Sequence, residues 1–171
     1  ALASSLIVQD RPADATIDGP RAAIKVITPG YFELLRIPLI EGRSFTDGDH
    51  AGAEPVAIVN ESAARAYWPG RNPIGKWVSY VRTVDGTPLR RRVIGVVGDV
   101  RYAGPGLPPE MEVYEPHLQT VEVWGWFGRS MSFVTRTAPG RSLRAEQVAA
   151  VARQGDPTMA VVGWGTLGGR V

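Results

Sequence analysis

The sequence predicts an α+β fold in which an αβ portion, residues 1–71 and 118–171, is interrupted by a small β-rich insertion at 72–117. Three observations predict it. Residues 20–70 hold two successive strand-to-helix units, each closed by its own proline or glycine. From Lys76 the periodicity is that of strands alone, and beyond His117 a helical pattern returns.

Residues 1–19 carry Asp10, Pro12, Asp14, Asp18 and Gly19, which break regular elements and leave room for a short strand at Leu6 to Val8. In the first unit, Ala22, Ile24 and Val26 alternate as in a strand. Thr28 is suited to cap a helix and Pro29 to open it, since the first helical N–H has no partner to lose. Tyr31, Leu34 and Leu35 share one helix side, and Pro38 stops the helix. In the second unit Val56 to Val59 form the strand and Asn60 the cap. Ala63, Ala66 and Tyr67 form the buried stripe, and Pro69 and Gly70 terminate it.

Next come strand-like WVSYV at 77–81, a turn at Asp85-Gly86 lengthened by Thr87 and Pro88, and RRVIGVVGDV at 91–100, together the pattern of a hairpin. A Pro/Gly-rich segment at 103–110 leads into a last short strand, MEVYEP. Beyond it, residues 130–137 (SMSFVTRT) read as a strand, and Ser142 to Gln154 as a helix with Val148, Val151 and Ala152 on one face. Gly155 and Pro157 close that helix, and 160–164 (AVVGW) supplies a final strand.

With 171 residues, 44% of them hydrophobic, the chain can bury a core of its own. Its 19 basic and 17 acidic residues nearly balance, at a formal net charge of +2, which argues against nucleic-acid binding. There is no cysteine, so disulfides, thiolate catalysis and Cys-based zinc sites are excluded. No stretch approaches the ~20 apolar residues of a membrane span, and no signal-peptide pattern opens the chain. The start at Ala1, without an initiator methionine, and the loose end Gly168-Gly169-Arg170-Val171 lead us to expect a piece of something longer.

Several motifs imitate chemistry. Gly70 to Lys76 matches the G-x-x-x-x-G-K of a phosphate-binding loop, but Trp77 stands where a hydroxyl should hold magnesium. The loop also follows a helix and precedes a strand, the reverse of what the motif needs. Gly95 and Gly98 are too few for a dinucleotide fingerprint and are expected to permit close backbone approach or a bulge. Asp47, Asp49, His50 and Glu54 lack calcium-loop spacing and read as a solvated loop. His50 and His117 have no metal-binding context, and no G-x-S-x-G elbow occurs. Arg90, Arg91 and Arg92 would alternate in direction along a strand and read as solvent-exposed, the alternative being a hydrated outer face near anionic lipid or a partner. Trp124, Trp126 and Phe127, among Gly125 and Gly128, read either as packed rings or as anchors for a partner.

Taken in order, PGYFELLRIPLIEGRSF, VAIVNESAARAYWPGRNPIGK, VIGVVGDVR and EVYEPH resemble the periplasmic core domain of MacB/FtsX-like ABC-transporter permeases, over roughly residues 20–165. The resemblance implies an extracytoplasmic domain between the first and second transmembrane helices of a permease, with a porter-like αβ subdomain interrupted by a smaller β-rich one. It implies no catalytic residue, no cofactor and no metal. Pro29, Gly42, Pro69, Gly70, Pro73 and Gly75 fall at turns and helix stops. The implied partners are the rest of the permease, a second permease copy, a cytoplasmic ATP-binding subunit acting indirectly, and a periplasmic adaptor or cargo. The implied location is the periplasmic face of the bacterial inner membrane. Inter-subdomain hinges are expected at the two crossings, at Asn72, Pro73 and Gly75 and at His117 and Leu118. A free-standing ligand- or peptide-binding module is the alternative. An enzyme would need a cleft of polar groups around Asp99 or Glu112.

Overall fold

The computed structural model describes residues 2–9, 21–84, 87–101, 108–120, 131–160, 163 and 165. The chain divides into two compact units, Ala1–Ser132 and Phe133–Val171.

The first unit is built on one mixed sheet. Its strands are β1 (Leu2–Val8), β2 (Arg21–Ile27), β3 (Leu39–Gly42), β4 (Val56–Asn60), β5 (Trp77–Val84), β6 (Thr87–Val97) and β7 (Glu112–Pro116). The order is β3-β6-β4-β7-β2-β1-β5, and β5 also pairs with β6. Six strands therefore form a closed circuit, with β3 outside it. Length makes this closure feasible. The first part of β6, up to Arg92, pairs antiparallel with β5, while Arg92 to Val97 run parallel to β4.

Strand alternation sorts the core into two faces. Leu6, Val8, Ala22, Ile24, Ala57, Val59, Val78, Val93, Val96 and Val113, drawn from all six strands of the circuit, pack into one buried cluster with Ala63, Tyr67 and Trp68. On the opposite face, Ile27, Val56, Ile58, Val97 and Tyr114 pack with Phe32 and Phe45.

Helix α2 (Glu61–Tyr67) follows β4, and Asn60 caps it by accepting the Ala63 N–H at 3.0 Å. Ala63 and Tyr67 are buried as expected, while Ala66 is half-buried. Helix α1 (Tyr31–Leu35) differs in detail. Gly30, at φ 82°, is its N-terminal boundary, and Arg36, at φ 59°, ends it before Pro38 is reached. Its one buried residue is Phe32. The expected stripe of Tyr31, Leu34 and Leu35 is half-buried, because this five-residue helix docks through Phe32, edge-on to Tyr114 at 4.9 Å.

Strand β3 is not legible in the sequence. All four of its residues are exposed, and only pairing with β6 makes it a strand. The strands of 72–117 and those of 21–60 belong to this single sheet, β6 and β7 flanking β4 on either side. A one-turn helix, α3 (His117–Thr120), follows β7. No helix among the described residues is long and apolar enough to cross a membrane.

In the second unit, α4 (Ala145–Gly155) realises the predicted helix, and its turn at Pro139-Gly140 is present, with Gly140 at φ 76°. Helix α4 buries no residue, and Val151 is 67% exposed. The strand expected over 130–137 does not form. Residues 131–138 carry no strand hydrogen bonding and Phe133 is 76% exposed, so among the described residues alternation found no neighbouring backbone to pair with. The turn at Asp85-Gly86, Trp124, Trp126 and Phe127, and most of 160–164 lie outside the described residues.

Candidate functional site

The strongest concentration of buried polar chemistry lies where β6, β7 and α3 meet. Arg91 is on the same face of β6 as Val93 and lies directly opposite Val78 of β5, so alternation turns it into the enclosed core. Glu115 shares its face of β7 with Val113. The two meet above β4, Arg91 Nη2 lying 3.0 Å from Glu115 Oε2, at 2% and 0% exposure. Sequence reading placed Arg91 in solvent with Arg90 and Arg92, and the structure corrects this. Arg90 is exposed, and Arg92 is half-buried, bonded to Glu54 and stacked on Trp77. The signal was only the alternation of three identical residues, which says that one differs in direction but not which one is buried.

Helix α3 completes the cluster. Thr120 Oγ1 donates to Glu115 Oε2 at 3.0 Å. The Gln119 side-chain carbonyl accepts the Val56 N–H at 3.1 Å and an Arg91 N–H at 3.3 Å. Its Nε2 donates to the carbonyls of Glu54 at 2.9 Å and His50 at 3.2 Å. One amide thus supplies hydrogen bonds to three backbone groups of the segment entering β4. Arg91 Nε and Glu115 Oε1 remain without a partner. They are a complementary donor and acceptor left unpaired beside the 3.0 Å contact of Nη2 with Oε2.

A second cluster sits on the opposite face. Glu112, fully buried, pairs with Lys25 and accepts the Tyr114 hydroxyl. Asn60 Oδ1 also accepts the Glu112 N–H at 2.9 Å, and its Nδ2 donates to the Glu110 carbonyl at 2.8 Å. Asp99 accepts from the Ser62 N–H and hydroxyl, both at 2.8 Å, and from Arg65 at 2.9 Å. Asp99 and Glu112, where an enzyme would have needed its cleft, both serve structural joints.

The loop after β3 is organised by an ion pair. Arg43 donates two hydrogen bonds of 2.8 Å to Asp49, which also accepts the Thr46 N–H at 2.9 Å. These bonds, the Arg43 guanidinium foremost, hold the Asp49 carboxyl below the usual carboxylate range and push Arg43 up. Asp49 is buried, so the stretch of Asp47, Asp49, His50 and Glu54 is not uniformly solvated. Among the described residues, no three His, Cys, Asp or Glu side chains are grouped to hold a metal.

The segment from Gly70 to Lys76 joins α2 to β5. Within it, Asn72 bonds to Glu41 and accepts the Ile74 N–H at 2.7 Å. Pro73 is buried, and the Gly75 N–H donates to Val93 at 2.8 Å. At the second crossing His117 is half-buried and Leu118 is 37% exposed. The two predicted hinge regions thus border different strands: the first is bonded to β3 and β6, the second to β4, β6 and β7 through Gln119 and Thr120. Gly95 and Gly98 do permit close approach, since an added Cβ would lie 2.5 Å from the Arg43 carbonyl and 2.8 Å from Pro38, respectively.

The family described as the MacB-like periplasmic core domain matches residues 3–162. The Macrolide export ATP-binding/permease protein MacB of Aggregatibacter actinomycetemcomitans is 34% identical over 88 residues, which is 51% of this chain and 12% of that protein. Among solved structures, the periplasmic region of MacB from Actinobacillus actinomycetemcomitans aligns with a TM-score of 0.52 at 24% identity, over 71% of this chain and 47% of that one. The extracellular domain of the noncanonic ABC-type transporter YknZ from Gram-positive bacteria aligns with a TM-score of 0.51 at 21% identity, over 72% of this chain and 55% of that one. Likeness at such identities shows the fold. The chain spans about half the length of each of these solved domains.

Proposed function

The chain belongs to the MacB-like periplasmic core domain family, and on that premise we propose that it is the extracytoplasmic part of an ABC-transporter permease, transmitting conformational change or contacting cargo or a partner protein. It performs no chemistry of its own. ATP hydrolysis belongs to a cytoplasmic subunit that reaches this domain only through the membrane helices. A second permease copy stands beside it, and an adaptor or cargo meets it on the periplasmic side of the bacterial inner membrane.

The observation that carries the reading, beside family membership, is how the polar residues are used. Asn60, Glu112, Glu115, Arg91 and Asp49 are buried and bonded to the protein's own strands, helices and loops. They stiffen the joints of a closed sheet. A close-packed sheet with bonded joints moves as a body, which is what relaying a displacement requires. Any give is then concentrated outside the strands of that circuit, at the crossing of Asn72, Pro73 and Gly75 beside β3, as hinges commonly are at element ends.

The test is a reversible cross-link in the assembled transporter. Asn72 touches Glu41 of β3, and the chain has no native cysteine to interfere. Glu41→Cys with Asn72→Cys, once oxidised, should stop export while ATP hydrolysis continues uncoupled, and reduction should restore export. Unimpaired export by the oxidised transporter would refute motion at this crossing.

A further inference from the structure

The buried pair of Arg91 and Glu115 has an energetic peculiarity. Removing two charges from water costs several kcal/mol per ion, and apolar replacements of such pairs are often neutral or stabilising. An ion pair inside a valine-rich core is therefore a poor source of stability. Its contacts are highly directional, however. Arg91 meets Glu115 and Gln119, Glu115 meets Thr120, and Gln119 reads the backbone of His50, Glu54 and Val56. Apolar packing would hold α3 against the sheet but would accept neighbouring placements. These directional bonds discriminate among placements that apolar packing would accept.

We infer that Arg91, Glu115 and Gln119 form a positional lock that fixes α3, and with it Thr120, against the start of β4. Leu118, the exposed residue of that turn, shows that little apolar burial competes with the lock. The three are positioning residues. The inference rests on these contacts and not on the transport reading, so either can fail without the other.

Hydrogen exchange beside thermal unfolding tests it. Arg91→Met with Glu115→Leu should melt at or above the wild-type temperature, yet the amides of Val56 and residues 117–120 should exchange about tenfold faster. Arg91→Lys keeps the charge but loses the planar guanidinium that meets Glu115 and Gln119 from two separate nitrogens, and should show the same local acceleration with a small change in melting temperature. Unchanged exchange at those amides would overturn the lock. So would a double variant that unfolds or melts as low as Arg91→Met alone, which would make the pair a source of stability instead.

Discussion

Asn60 Oδ1 accepts the backbone N–H of Glu112 at 2.9 Å while also accepting the Ala63 N–H. A single amide oxygen thus caps α2 and ties the end of β4 to the beginning of β7. A cap satisfies only its own helix; this one also pins a strand that lies 52 residues away in the chain.

Asn60→Ala should therefore cost more than a lost cap. The cap alone is worth about 0.5–2 kcal/mol, and the Glu112 N–H left unpaired adds about 1–3 kcal/mol. Urea unfolding should show a loss of about 2–4 kcal/mol. A loss confined to the range of an ordinary cap would mean that the Glu112 bond contributes nothing.

The approach of β3 and its following loop to β6 makes a second prediction. An added Cβ at Gly42 would lie 2.1 Å from the Ile94 carbonyl, and Gly42 has φ 78°. Gly95→Ala meets the Arg43 carbonyl, a backbone atom that cannot swing aside. Each should lose at least the ~1–3 kcal/mol of an overpacked core. Gly70, at φ 69° with nothing within 4 Å of an added Cβ, should lose only the ~1–2 kcal/mol of a left-handed backbone when changed to alanine. Equal losses at Gly42 and Gly70 would show that the close approach is unimportant.

Asp49 supplies a pH dependence. Its carboxyl is held low in the folded state, chiefly by Arg43, against about 3.9 unfolded. The stabilisation is therefore fully present above the unfolded value and is lost as pH falls through the lowered folded value. Arg43 is half-exposed, so solvent screening limits the pair to about 1 kcal/mol. Arg43→Met should melt lower than wild type at pH 7, and the gap should close as the pH drops below ~4. A gap that persists in acid would assign the loss to packing of the arginine stem.

Trp124, Trp126 and Phe127 are offered as partner contacts on sequence grounds alone. Replacing all three by alanine in the assembled transporter should lower export while leaving ATP hydrolysis and the melting temperature of the domain unchanged. A fall in melting temperature would return the rings to a packing role.

Features decided within a few residues were legible in the chain itself. Asn60 caps α2, glycines 95 and 98 sit at close approaches, and β5 and β6 pair as the alternation around Asp85-Gly86 requires. Four short blocks in order were enough to indicate the family. Each of these rests on backbone preference or on periodicity, which a linear sequence carries. The tertiary structure alone decided the rest. Strand β3 exists because β6 is long enough to pair with it beyond β5, and residues 131–138 are not a strand because alternation needs a neighbour to pair with. Arg91 is buried because β4 lies between β6 and β7, which brings Glu115 to it. The identity of the middle arginine carried no trace of a partner 24 residues further on, since an ion pair is a property of which strands are adjacent and not of either residue.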